Sequence, residues 1–266
     1  MGVYDGEVMK RVIGATGGQR AVFVEEMGWP DVAALHAEGE RMVMLPVGAT
    51  EQHGPHLPVN TDTVIAQAVC WYASAKSRVP VLPAMPYSVS LGHTRKWPGT
   101  FSLKHRSFMD SVSEVVDWCA GTGWERLVLV NSHFGNDASL RAVVEAVRLE
   151  HLGRLRVALV NTFRVSDAVW DYFVSDAADL HANKAETDLM LYLAPSTVRM
   201  ELVEDDPDRT VGKVLSYPVS ETSRNGVTGK PSEGTEARGE TLFREMGDAL
   251  VGVLEIGRSE EVPLGA

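Results

Sequence analysis

Cysteine is nearly absent from this sequence, with only Cys70 and Cys119 among 266 residues. Two isolated cysteines within apolar, helix-like stretches cannot form a disulfide framework or a cysteine-rich metal site. We interpret both as small buried hydrophobic residues, which is the commonest state of a free cysteine.

Basic residues are outnumbered, with 25 Lys and Arg against 36 Asp and Glu, a net charge of −11. The isoelectric point near 5.2 leaves no basic footprint for phosphate contacts. This argues against nucleic acid or an anionic membrane as the partner, and we expect a small-molecule substrate instead.

Long hydrophobic runs are missing as well. No window approaches the roughly 18 apolar residues that a membrane-spanning helix needs, and the start MGVYDGEVMKRVIGATGG lacks the apolar core of a signal peptide. We therefore expect a cytoplasmic protein with one globular domain over residues 1–266. Residues 1–20 and 259–266 are predicted to be arms or frayed ends.

Short β-branched runs alternate with longer amphipathic stretches, which is typical of an α/β fold with a mainly parallel sheet. The predicted strands are 41–47, 79–85, 126–131 and 155–161, although runs this short are also compatible with buried helix. The predicted helices are 63–78, 107–122, 138–151, 184–192 and 242–257. Residues 205–239 are predicted to be a binding loop or a subunit contact.

The first chemical motif, GATEQHGPHLPVNTD, follows the strand at 41–47. It places Glu51, His53, His56 and Asp62 beyond the carboxyl end of a strand, where open α/β sheets bind ligands. Glu51 and His53 are two residues apart, so an extended backbone points them to one side. This predicts metal ligands; the alternative is that Asp62 caps a helix and the histidines bind loop carbonyls.

A second motif, VNSHFGND, follows the strand at 126–131 and places His133 in a turn beside Gly135, which permits close backbone approach. Such a histidine can be structural. At the same sheet edge as the first motif it becomes a further predicted ligand, because imidazole and carboxylate together suit Zn, Mn or Fe(II).

The third motif, DLHANKAETDLM, places His181 five residues before Glu186, at the start of a predicted helix. The helix dipole alone would favour a carboxylate there. Three further acids predict a cation nearby: Asp176, Asp179 and Asp188. In a fourth stretch, SLGHTRKWPGTFSL, His93 and Trp97 either line a pocket wall or belong to a surface loop anchored by the tryptophan.

Together these motifs resemble the creatininase (creatinine amidohydrolase) family through nearly the whole chain. LPVGATEQHGPHLPVNTDT resembles its long and specific opening metal motif. The other matching segments are WPGTFSL, VNSHFGN, HANKAETDLM and NGVTGKPSEGTEARGE. The resemblance implies a three-layer α/β/α sandwich, commonly assembled as hexamers, with two divalent ions such as zinc, manganese or iron.

The resemblance also implies roles for individual residues. Glu51, His53, Asp62 and His133 would be metal ligands, with Asp62 bridging two ions. His181 would face the substrate, and Glu186 would be a ligand or an acid–base group.

Departures from the family pattern bear on the substrate. Creatininase itself carries a Glu two residues after the turn histidine, where this chain has Gly135, which argues against creatinine as the substrate. Phe134 replaces a glycine and predicts a bulky pocket wall, and Lys184 could neutralise an anionic or keto group.

The predicted function is therefore metal-dependent hydrolysis of a C–N amide bond in a small or cyclic molecule. Alternatives within the family are C–C bond hydrolysis of a cyclic keto-inositol and peptidase activity of the mycofactocin-maturation type. A non-catalytic metal-binding scaffold stays open. Dinucleotide binding is not expected, because no Gly-x-Gly-x-x-Gly follows a strand.

Overall fold

A three-stranded parallel sheet forms the centre of the computed structural model, which describes residues 6–264. Its strands are β1 (Met42–Val47), β2 (Arg126–Asn131) and β3 (Arg156–Asn161), in the order β1-β2-β3. The register aligns the carboxyl ends, since Val47 pairs with Asn131 and Asn131 with Asn161. The loops that follow β1 and β2 therefore begin at one edge of the sheet.

The predicted strand at 79–85 is not a regular strand. This segment runs parallel to β1 and is joined to it by isolated bridges. Met44 N–H donates to Pro80 O at 2.9 Å, and Leu82 N–H donates to Met44 O at 2.8 Å. Pro80 and Pro83 have no N–H to donate, so a continuous ladder cannot form.

Helices occupy the connections, and those at 61–77, 105–121, 137–150 and 184–193 agree with the predicted ones to within two residues at each end. The helix at 236–259 begins six residues before its predicted start at 242. In chain order the helices of the described residues are α1 (Glu7–Ala15), α2 (Trp29–Ala37), α3 (Thr61–Ser77), α4 (His105–Gly121), α5 (Asp137–Glu150), α6 (Asp167–Phe173), α7 (Lys184–Leu193), α8 (Val219–Thr222) and α9 (Glu236–Ser259). Short 3-10 turns include Leu91–His93 and Phe134–Asn136.

Alternate side chains of the strands enter two different hydrophobic cores. Val43 and Leu129 pack with α4 and α5 on one face of the sheet, whereas Met44 and Val128 pack with α3, α7 and α9 on the other. Period-two alternation places successive residues on opposite faces. The sheet is thus covered on both sides, which confirms the three-layer α/β/α class.

The expectation of an N-terminal arm over residues 1–20 is wrong for residues 7–15, which form a packed helix. Met9, Val12 and Ala15 of α1 are buried in the core that contains α3 and α7, because the helix presents an apolar face at 3.6-residue spacing. Residues 1–5 and 265–266 lie outside the described residues, and 260–264 are exposed. The extent of the domain, 1–266, stays a prediction.

Within 6–264, every helix is too short or too polar to cross a bilayer.

Candidate metal centre and cavity

Four buried side chains from separate segments meet beyond the carboxyl ends of β1 and β2. Glu51 and His53 come from the loop after β1, Asp62 from the first turn of α3, and His133 from the turn after β2. His53 Nε2 lies 3.3 Å from Asp62 Oδ1. His133 Nδ1 lies 3.3 Å from both Glu51 Oε1 and Asp62 Oδ2. The structure thus brings together the side chains that the first two motifs single out, except His56, which bonds Thr187 instead.

Asp62 belongs to two ligand groups at once. Glu51, Asp62 and His133 offer donor atoms within 4.8 Å of one another, and so do His53, Asp62 and Glu186. The two carboxylate oxygens of Asp62 face different histidines. A carboxylate shared in this way suits a pair of closely spaced cations.

Four donor atoms of this cluster are buried without hydrogen-bond partners. Both oxygens of Glu51, Oδ2 of Asp62 and Nε2 of His53 are among the unsatisfied buried atoms. Leaving one buried polar atom unpaired costs about 1–3 kcal/mol, and more for a charged group. A divalent cation would satisfy all of them, so these residues fit a metal site.

Backbone carbonyls orient the two histidine rings toward the cluster. His53 Nδ1 lies 3.1 Å from Glu51 O, and His133 Nε2 lies 2.8 Å from Val89 O. Each carbonyl accepts the ring N–H and leaves the other nitrogen as a lone-pair donor for a metal. The histidines do bind loop carbonyls, as the alternative stated, but with the nitrogens that face away from the cluster.

Asp62 does not cap its helix. The N-cap of α3 is Asn60, which makes no side-chain capping bond. At α7, in contrast, Glu186 completes a capping box, since its Oε2 accepts from Asn183 N–H at 3.4 Å. The other oxygen, Oε1, lies 3.9 Å from His53 Nε2. Glu186 therefore stabilises the helix start and still offers one oxygen to the cluster.

Two of the three additional acids are paired within the protein. Asp176 accepts from the backbone N–H groups of Lys184 and Lys230 at 3.1 and 2.7 Å. Asp188 accepts from the Tyr172 hydroxyl and lies 3.4 Å from Arg238 Nε. Donors of the protein thus occupy both carboxylates, and neither residue belongs to the potential ligand groups around Asp62.

The buried carboxylates of this cluster favour the presence of positive charge beside them. Burial raises the pKa of Glu51 to about 7. Burial alone would lower the pKa values of His53 and His133, but the adjacent carboxylates raise them to about 10 and about 9. For Asp62, burial is outweighed by these two rings, which hold its pKa well below the usual value. Protonated imidazoles thus supply the charge that the carboxylates require.

Two further histidines stand beside Glu51 and are neutral. His181 Nδ1 lies 3.6 Å from Glu51 Oε1, and His93 Nε2 lies 3.7 Å from Glu51 Oε2. Burial lowers the pKa of His181 well below its ordinary value and that of His93 to about 3. Their ring centroids are 4.1 Å apart.

A cavity of about 370 Å³ opens onto this cluster. Its walls include the cluster residues Glu51, His133 and Glu186, the predicted pocket residues His93 and Phe134, and His181. The Phe134 ring stacks on Phe163 with centroids 3.7 Å apart.

Trp97 and Lys184, the other predicted pocket residues, are absent from the cavity wall formed by the described residues. The Lys96 ammonium lies 4.5 Å over the Trp97 ring, and Lys184 Nζ donates to Ser175 Oγ at 3.0 Å. The pocket prediction is therefore wrong for these two residues in this structure.

Sequence reasoning missed Gln52, which links the first motif to a distant loop. Its amide contacts His93, His181 and the Gly226 carbonyl at 3.1–3.2 Å. Gly226 has φ +87°, and a Cβ there would lie 2.1 Å from Gln52 Oε1, so glycine is required. The available signal was the position of Gln52 between two predicted ligands.

His56, the remaining histidine of the first motif, bonds Thr187 Oγ1 at 2.9 Å.

Fold and site together define an α/β protein built to bind divalent metal, and comparison with known proteins agrees. The family model for creatininase (creatinine amidohydrolase) matches residues 25–254. Creatinine amidohydrolase of Pseudomonas putida is 31% identical over 91% of this chain and 96% of its own. The mycofactocin precursor peptide peptidase of Mycolicibacterium smegmatis is 34% identical over 77% of this chain and 81% of its own.

A solved structure of a mutant creatininase of the Zn-Zn type superposes with a TM-score of 0.79 at 25% identity, covering 90% of this chain and 99% of that one. The chain belongs to the creatininase family, and it is a metal-dependent hydrolase.

Proposed function

We propose that this enzyme hydrolyses a C–N amide bond, open or cyclic, in a small molecule, with two divalent ions. Glu51, Asp62 and His133 would hold one ion, and His53, Asp62 and Glu186 the other. The observation that carries the proposal is the sharing of Asp62 between two groups of buried donor atoms, four of which have no hydrogen-bond partner. Imidazole and carboxylate donors suit zinc, manganese or iron(II).

A divalent ion bound here would lower the pKa of a water molecule toward about 7 and polarise a carbonyl oxygen. The chain supplies the proton transfers. His181 Nε2 lies 2.7 Å from Gln52 O, so its proton is committed to that carbonyl and Nδ1 is left as a base. His181 Nδ1 takes the proton of the attacking water and returns it to the leaving nitrogen, a role typically worth about 10²- to 10⁴-fold in rate.

Gly135 supports a substrate other than creatinine. A Cβ at this position would lie 2.5 Å from His133 Nε2 and 2.6 Å from Val89 O. A glutamate, as creatininase is expected to carry there, does not fit this turn without moving His133. Glu186 supplies the carboxylate of the second group instead.

Peptidase activity on a short peptide is the second candidate. It is favoured by the 34% identity to a mycofactocin precursor peptide peptidase and by the glycine at position 135. A homo-hexamer and a cytoplasmic location are further proposals that rest on the family resemblance and on composition.

The test combines elemental analysis of the purified protein with an activity panel of formamides, lactams, creatinine, short peptides and cyclic diketones. We expect about two divalent ions per chain and turnover of an amide other than creatinine. Chelation should abolish turnover, and re-addition of zinc or manganese should restore it. Turnover of only a cyclic diketone, or activity that survives complete metal removal, would overturn the proposal.

A further inference from the structure

The orientation of the Gln52 amide is determined by a backbone donor. Gly54 N–H lies 2.9 Å from Gln52 Oε1. A backbone N–H can only donate, so the atom facing it must be the amide oxygen and the opposite atom the NH₂ group. Gln52 is 4% exposed, so its two N–H groups must find partners within the protein.

Three atoms lie within reach of those two hydrogens, and one of them is excluded. His181 Nε2 lies 2.7 Å from the Gln52 carbonyl oxygen, a contact that requires the proton on His181 Nε2. A protonated nitrogen cannot accept a hydrogen bond. The amide hydrogens therefore go to Gly226 O at 3.2 Å and to His93 Nδ1 at 3.1 Å.

This arrangement determines the tautomer of His93. Because Nδ1 accepts a hydrogen bond, it carries no proton, and the single proton of the neutral ring is on Nε2. That N–H is on the edge of the ring opposite Gln52, in the cavity wall, 3.7 Å from Glu51 Oε2. This distance is too long for a hydrogen bond, so the N–H remains available to a bound molecule.

We propose that His93 is a catalytic residue that donates its Nε2–H to the substrate's carbonyl oxygen, and that Gln52 is the positioning residue that keeps this proton in place. The inference rests on the proposed amide hydrolysis. In that reaction the oxygen of water bonds to the carbonyl carbon, the C–N bond breaks, and a proton of the water goes to the leaving nitrogen. The carbonyl oxygen gains negative charge on the way, and a neutral N–H stabilises it without being consumed.

The loop that contains Gly226 and Thr228 is distant in the sequence but contacts both Gln52 and His181. The Gly226 carbonyl accepts the second amide hydrogen of Gln52, and the Thr228 backbone pairs with His181 at 3.1 and 2.8 Å. The loop thus contacts His181 directly and His93 through Gln52.

The first experiment reads the tautomer without using activity. Nitrogen NMR of histidine-labelled protein, zinc-loaded and metal-free, is compared with His93→Phe to assign the His93 ring. We expect a protonated Nε2 and an unprotonated Nδ1 in the zinc-loaded protein. In Gln52→Glu, which keeps the acceptor for Gly54 N–H but removes the amide donors, we expect the proton to appear on Nδ1. Thr50→Val, which removes only a hydroxyl bond to Pro86 O, is the matched control and should leave the His93 signals unchanged.

The second experiment uses the amide identified by the activity panel. His93→Phe should lower kcat by about 10²- to 10³-fold, as loss of an oxyanion donor does, with KM and metal content unchanged. His93→Gln retains an N–H donor and should recover part of kcat with an unaltered pH profile. Gln52→Glu should lower kcat, whereas Thr50→Val should not.

A proton on Nδ1 of His93 in the zinc-loaded wild-type protein would overturn the proposal, and so would full activity of His93→Phe. Loss of metal in His93→Phe would make His93 a ligand and refute the donor role. If the tautomer is as expected but no amide is hydrolysed, the proposed function fails and the donor role fails with it, while the Gln52 hydrogen bond stands.

Discussion

Nδ1 of His133 lies 3.3 Å from Oδ2 of Asp62, although one residue follows a strand and the other begins a helix. The contact joins the ends of two neighbouring segments across the carboxyl edge of the sheet. Both side chains are buried. The same edge carries Glu51 and His53, so a change in any one of these groups alters the charge of the whole cluster.

Asp62→Ala should remove metal and activity together. Asp62 is common to both ligand groups, so its loss disrupts both ions, and we expect kcat/KM to fall by more than about 100-fold. Elemental analysis and steady-state kinetics measure the two effects. Asp137→Asn, an acid paired with Arg141 at 2.8 Å outside the cluster, is the control. Normal metal content in Asp62→Ala would contradict the assignment.

His181→Ala should retain metal and lose most turnover. His181 forms a further potential ligand group with Glu51 and His53, but it belongs to neither of the two groups around Asp62 that would hold the proposed ions. The proposed proton transfer depends on His181, so kcat should fall about 10²- to 10⁴-fold. His151→Ala removes a buried histidine that bonds Asp117 instead, and it should keep its activity. A stoichiometric loss of metal in His181→Ala would show that His181 is a ligand.

Metal binding should release protons and strengthen as pH rises. In the metal-free protein the pKa values of His53 and His133 are about 10 and about 9, so both rings are protonated at neutral pH and must lose their protons to bind metal. Glu51, whose pKa is raised to about 7, is partly protonated at neutral pH as well, so we expect release of at least about two protons per chain. Calorimetric titration in buffers of different ionisation enthalpy measures this number. Identical heats in all buffers would contradict it.

The same shifts make the metal-free protein less stable at high pH. In the folded protein the pKa values of His53 and His133 lie above the ordinary histidine value of 6.5. The contribution of the two protonated rings to the free energy of unfolding is therefore fully present below about pH 6.5, and it is lost as pH rises through about 9 to 10. Urea unfolding of chelated protein across this range measures the change. A midpoint that rises with pH over this interval would show that the rings are not protonated in the folded state.

Gly135→Ala should destabilise the protein and weaken metal binding. The new Cβ would lie 2.5 Å from His133 Nε2, and overpacking of this kind costs about 1–3 kcal/mol. Thermal unfolding and metal titration measure the two effects. In Gly121→Ala the added carbon meets nothing within 4 Å, so that variant should be at least as stable as the wild type and should bind metal equally well. An unchanged unfolding temperature for Gly135→Ala would contradict the close packing of this turn.

Phe134→Leu should change the ranking of substrates while metal content stays the same. The ring lines the cavity and stacks on Phe163, so a smaller side chain enlarges one wall without touching the ligands. Phe173→Leu alters the same aromatic cluster away from the cavity and serves as the control. The activity panel measures the ranking, and an identical ranking in Phe134→Leu would exclude Phe134 from substrate selection.

Much of the site could be predicted because parallel strands end at a common edge. The motifs after β1 and β2 were expected to meet there, and Glu51, Asp62 and His133 do. The segment at 79–85 was predicted as a regular strand because it is apolar, but its prolines interrupt the hydrogen-bond ladder. The first helix was predicted as part of an arm because it is short and lies near the N-terminus. The sequence of a short apolar segment does not show which strand of the sheet it will pair with.

The α/β class and the donor types at the sheet edge follow from the amino-acid sequence, because hydrophobic periodicity and side-chain chemistry are local properties. The packing of the layers sets which ring nitrogen of each histidine faces the cluster, and it brings Asp188 to Arg238 and Gln52 to Gly226. Those outcomes depend on hydrogen bonds between segments far apart in the chain, and their geometry exists only once the layers have packed.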